Sequence, residues 1–75
     1  MKKYTYITVD EMVRDEERSF IVKSRIDGTT LADIDKSEDD EEYRLEIADY
    51  KRLSSVCVEE ISDFMKNELP ILCKE

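Results

Sequence analysis

Seven of the twenty acidic residues fall within ten positions, as Asp33, Asp35, Glu38, Asp39, Asp40, Glu41 and Glu42, with Lys36 the one base among them. Carboxylates at this density offer three kinds of chemistry: acid/base catalysis by an unequal pair, coordination of a hard cation, and attraction of a basic partner. Catalysis needs an apolar wall that lifts one pKa away from its neighbour, and a run of adjacent charges supplies none. For calcium, Asp35, Ser37, Asp39 and Glu46 fall at positions one, three, five and twelve of an EF-hand loop. The sixth position, where the loop must turn on glycine, is Asp40, and the ninth is Tyr43. No metal or cofactor is therefore expected, and attraction of a partner remains.

The other reactive groups are isolated. Cys57 and Cys73 stand sixteen positions apart, form no CxxC unit and have no histidine to complete a metal set. Ser54, Ser55 and Cys57 lack a histidine as activating base, and packing on a helix is the plainer role for the thiol. A non-catalytic protein follows.

The net charge of -8 makes direct nucleic-acid binding unfavourable, because phosphate contacts are supplied by Lys and Arg. The same field attracts basic proteins. The expected partner is a basic protein surface, met by Asp33, Asp35, Glu38, Asp39, Asp40, Glu41 and Glu42, with Tyr43 as the adjoining aromatic anchor. In size and charge alone the chain is analogous to phage-encoded DNA-mimic inhibitors of restriction, CRISPR or repair enzymes. The function expected on this basis is an inhibitor that covers a basic surface of a nucleic-acid-handling protein. The alternative is a structural or assembly subunit acting through a sheet edge and the apolar tail Ile71, Leu72 and Cys73.

Seventy-five residues suffice for one domain with one small core, spanning residues 1–75. No apolar run reaches membrane-spanning length and no signal region follows Lys2 and Lys3, so a cytoplasmic protein with reduced cysteines is expected.

The elements that must position the acidic run follow from periodicity. Residues 3–9 are rich in aromatic and β-branched types and read as a strand; residues 10–18 read as a charged loop with room for one helical turn. Residues 19–26 alternate, with Phe20, Val22 and Ile26 inward, and read as the surest strand. Asp27-Gly28 then predicts a two-residue hairpin pairing Ile26 with Thr29 and Ile21 with Ile34, so that the third strand is 29–34. Residues 40–48 are divided between strand and helix, with the weight on a helix capped near Ser37. Residues 55–69 form an apolar stripe opposite Glu59, Glu60, Asp63 and Lys66, ended by Pro70. The resulting fold is α+β: a small antiparallel sheet of three to four strands with a C-terminal amphipathic helix packed on one face. Its expected core is Ile7, Phe20, Val22, Ile26, Leu45, Ile47, Leu53, Cys57, Ile61, Phe64 and Met65. An N-terminal edge strand is free to pair with a second copy, which would give a homodimer.

Overall fold

A computed structural model of the chain describes residues 3–15, 17–36 and 41–72. Four strands, β1 (Ile7–Arg14), β2 (Glu17–Ser24), β3 (Thr30–Asp35) and β4 (Arg44–Ile47), form an antiparallel sheet in the order β1-β2-β3-β4. A C-terminal helix covers one face. It runs as α1 (Ser55–Asp63), widens through a π-helical turn (Phe64–Glu68) and ends as α2 (Leu69–Leu72). The expected α+β arrangement, helix on sheet, is the one observed.

Of residues 10–18, expected as a charged loop, 10–14 are instead the second half of β1 and 17–18 begin β2, with Asp15 in the turn between. Their charges alternate across the sheet: Arg18 pairs with Glu11 at 3.2 Å, and Lys23 lies 3.7 Å from Asp10. Cross-strand pairing of this kind favours a ladder that single-strand propensity does not reveal. The chain reverses at Asp15, whose φ of 51° puts it in the left-handed region that Asp tolerates better than most residues.

The register fixes which side is buried. Val9 faces Val22, Val22 faces Ala32, and Ala32 faces Ile47, while Phe20 faces Ile34 and Ile34 faces Leu45. These residues share the helix side, since side chains one apart on a strand point to opposite faces. Between β2 and β3 the register shifts at Val22 and Lys23, so Leu31 has no direct partner, and both Leu31 and Ala32 are buried.

Two expectations about the β2–β3 connection are corrected. The loop has four residues, Arg25 to Gly28, with the Gly28 N–H donating to the Ser24 carbonyl at 2.9 Å and the Ser24 N–H to the Thr29 carbonyl at 2.8 Å. Gly28 sits at the last loop position with φ 75°, which glycine adopts without steric cost. The longer loop removes Ile26 from the strand and leaves it 85% exposed, and Ile21 pairs with Asp33, not Ile34. Asp27 stays in the turn, where its carboxylate accepts the Thr29 N–H at 2.9 Å; that bond chiefly holds its pKa below the usual carboxylate value.

Residues 44–47 are a strand, and the weight on helix there is corrected. The helix is capped by Ser54, whose hydroxyl accepts the Cys57 N–H at 3.4 Å. Pro70 does not end it. The Leu69 N–H donates back to Phe64, five residues earlier, and this widened turn immediately precedes the proline. An added residue per turn shifts the carbonyls that a proline ring would otherwise meet, so the helix runs on to Leu72.

Phe20 and Phe64 are fully buried at the centre, with ring centroids 5.3 Å apart in an edge-to-face arrangement. Tyr4 stands edge-on to Phe64 at 6.5 Å and Tyr43 packs on Phe20 at 6.0 Å. Of the expected core, Ile7, Phe20, Val22, Cys57, Ile61 and Phe64 are buried, while Ile47, Leu53 and Met65 are half-buried and pack against it. Leu45 is 40% exposed and so is corrected; Tyr4, Leu31, Ala32, Ile34 and Leu69 are buried residues absent from that expectation.

Tyr4 connects fold to pH. Its hydroxyl donates to Asp63 Oδ2 at 2.8 Å, and burial, then the Asp63 carboxylate, holds the phenol well above its ordinary value. The folded state therefore binds the phenolic proton more tightly than the unfolded state. The stability this contributes is fully present below the unfolded value of about 10 and is lost as pH rises through the folded value. Urea midpoints should fall with rising pH above about pH 10, and the fall should shrink in Tyr4→Phe, which keeps the ring. An identical alkaline decline in the variant would remove Tyr4 as its source.

Candidate partner-binding surface

The face of the sheet away from the helix is uncovered by any described element. Across its middle runs one row of directly paired residues: Asp10, Ile21, Asp33 and Glu46. Asp33 is half-buried and stands opposite Glu46, which is exposed. Among the described residues neither carboxylate makes a hydrogen bond or ion pair. Like charges placed directly opposite on a sheet are destabilising, by a few tenths to about 1 kcal/mol. Asp10 is relieved by Lys23, but no cation of the described chain serves the Asp33–Glu46 pair.

The remaining acids of the run are distributed differently. Asp35 is exposed on the same face, directly opposite Arg44. Glu41 and Glu42 are exposed in the segment that leads into β4. Glu38, Asp39 and Asp40 lie outside the described residues. Tyr43 is half-buried on the helix side against Phe20, with the Lys36 ammonium 5.9 Å from its ring centroid, a cation–π arrangement. The fold thus brings Asp33 and Asp35 onto one face and sets Tyr43 on the other.

Bases gather at the end of the sheet nearest the run. Arg14, Arg18, Lys36 and Arg44 line a shallow depression of about 900 Å³, together with Glu17, Asp35 and Glu46. Arg18 also donates to the Leu72 carbonyl, which supplies one of the donor partners a helix C-terminus needs. The run therefore emerges beside a mixed-charge rim that includes Glu46, and Asp33, opposite Glu46, lies further along the same face.

On sequence grounds Glu46 figures only as the twelfth position of the calcium loop set aside above, and Asp10 not at all, although reading residues 43–47 as a strand places Glu46 two positions from Arg44 on the outward side. The apolar residues of that strand line a second feature. Leu45, Ile47, Leu53, Val58, Ile61 and Met65 form a cleft of about 310 Å³ between β4 and α1, with Ser62 and Lys66 at its helix rim. β4 is the last strand of the sheet, so the cleft opens beside an edge that no described residue pairs with.

Comparison with protein families, with curated proteins and with solved structures finds no match to the chain. Among the described residues, no helix is long and apolar enough to cross a membrane.

Proposed function

We propose that the chain is a small acidic, non-catalytic binding module that docks on a basic protein surface, in the manner of an inhibitor occupying the nucleic-acid groove of its target in the cytoplasm. The observation that carries this reading is the Asp33–Glu46 pair, two opposed carboxylates that no cation of the described residues serves, on a sheet face that no described element covers, in a chain of net charge -8. A partner's Lys or Arg placed over that pair would relieve a repulsion that the free protein carries, and the exposed Glu41 and Glu42 extend the negative field along the approach. The net charge of -8 also speeds encounter with a basic partner.

The test is a four-site neutralisation: Asp33→Asn, Glu41→Gln, Glu42→Gln and Glu46→Gln. The variant should fold with equal or slightly higher stability, because it removes repulsion and loses no ion pair of the described chain. Immobilised wild-type chain should retain basic nucleic-acid-handling proteins from a host lysate, release them to duplex DNA, and bind the purified target on the order of tenfold more tightly than the variant at low salt. Retention that is unchanged by neutralisation, or that duplex DNA does not displace, would refute the reading. A structural or assembly role through the sheet edge is favoured by a separate observation, the apolar cleft beside β4.

A further inference from the structure

We infer that the free edge of β4 is a self-association site, at which a second copy of the chain pairs antiparallel about a two-fold axis through Leu45. This goes beyond the basic-partner reading and uses different groups. The Ala48 N–H donates to the Leu31 carbonyl at 2.8 Å. By the alternation of an antiparallel ladder, the even residues of β4 are then bonded to β3, and the odd ones turn their N–H and C=O groups to the free edge. Leu45 is odd and central.

Pairing centred there matches Leu45 with itself, Arg44 with Glu46 of the second copy, and Tyr43 with Ile47 of the second copy. Arg44 and Glu46 lie on the open face, so the contact supplies each Glu46 with a cation that the described residues of its own copy do not. The neighbouring registers that keep the same backbone bonds fail on charge. Shifting one way sets Glu46 against Glu46, and shifting the other sets Arg44 against Arg44. On the helix side the same register brings Leu45, 40% exposed, and Tyr43 and Ile47 of the second copy toward the cleft below Val58, 47% exposed.

In this geometry the acidic segments do not meet. Antiparallel pairing places residue 42 of one copy opposite residue 48 of the other, so the two acidic segments stand about 20 Å apart along the edge. That exceeds the screening length of about 8 Å at physiological salt. At the other edge the odd residues of β1 face outward, and the registers nearest full antiparallel overlap with a second β1 set Asp10 against Asp10 or Glu11 against Glu11, which disfavours a dimer through the N-terminal strand.

Charge reversal tests the register by sedimentation of the full chain over a wide concentration range. Wild type should show a concentration-dependent monomer–dimer equilibrium. Glu46→Arg should be monomeric throughout and fold at least as stably as wild type, because the introduced guanidinium then faces Asp33 within the chain but Arg44 across the interface. Arg44→Glu should also be monomeric, and the double variant Arg44→Glu/Glu46→Arg should recover the dimer. A wild type that stays monomeric at the highest concentration overturns the inference, as does a dimer that survives Glu46→Arg or one that the double variant does not restore. Dimerisation can fail while capture of basic proteins persists, so the two readings are separable.

Discussion

Phe64→Ala is expected to leave much of the protein unfolded at room temperature. Phe64 is fully buried where the helix meets the sheet, with Phe20 on one side and Tyr4 on another. Removing a buried phenylalanine ring costs about 3–5 kcal/mol, the lost transfer energy plus the cavity left behind. A domain of this length has about 4–11 kcal/mol in total. The lower part of that range applies, since so short a chain buries only about 60–65% of the surface it exposes when unfolded. Relaxation cannot refill the site cheaply, because Phe64 is the first residue of the widened turn and its carbonyl already accepts the Leu69 N–H. Urea titration followed by near-ultraviolet dichroism would measure the loss. Ile71→Ala, on the same helix but 68% exposed, should stay within about 0.5 kcal/mol of wild type. A cooperative Phe64→Ala transition within about 1 kcal/mol of wild type would show that the helix does not pack on the sheet through this ring.

The division into sheet and helix was legible because the two periodicities are carried by different residues. Phe20, Val22 and the alternating charges of β2 repeat at two, and Cys57, Ile61 and Phe64 repeat at four and three. Errors arose where a decisive interaction was non-local. Residues 10–14 are too charged to read as a strand alone, and only Arg18 and Lys23 on the next strand give Glu11 and Asp10 their partners. Asp27-Gly28 does mark a turn, but whether two or four residues form it depends on the Ser24 and Thr29 backbone bonds, and that choice decided the fate of Ile26. For residues 40–48, charge near a helix start and alternation along a strand competed, and pairing with β3 decided for the strand. Pro70 was misleading because a widened turn has no local sequence signature.

The candidate surface was legible in composition and less so in place. The density of carboxylates pointed to residues 33–42, and Asp33 and Asp35 do stand on an open face. Charge alone could not show that Asp33 is opposed by Glu46, an acid outside the run, since that depends on the register of β3 against β4. Nor could it show that Arg14, Arg18 and Arg44 gather beside the run and offset part of its field. The useful distinction is between acids already matched within the fold, such as Asp10 and Glu11, and the pair left without a cation. The latter is where a partner's charge changes the energy most, whether that partner is a basic protein or Arg44 of a second copy.

Glu60→Ala is expected to produce the largest loss of stability from any polar substitution. Sequence periodicity puts Glu60 and Asp63 on the wet side of the helix, but both reach the N-terminal segment. Glu60 Oε1 accepts the N–H groups of Tyr6 at 2.8 Å and Ile7 at 3.2 Å, and Oε2 accepts that of Thr5 at 3.1 Å. One carboxylate thus serves three consecutive amides just where the chain enters β1, and Asp63 holds Tyr4 beside it. Hydrogen bonds to a charged group contribute about 1.5–3 kcal/mol each when a partner is lost in a buried site. Thr5 and Tyr6 are exposed, so water replaces much of their share, whereas Ile7 is fully buried. The net cost should be about 2–3 kcal/mol. Glu60→Gln separates charge from shape: its single amide oxygen can accept from two of the amides at most, while its NH2 group confronts the third, so it should recover only part of the loss. Amide exchange read residue by residue gives the sharper check. In Glu60→Ala the amides of residues 5–7 should lose protection well before those of β2 and β3; uniform acceleration across the sheet would mean that Glu60 acts on global stability and does not fasten this segment.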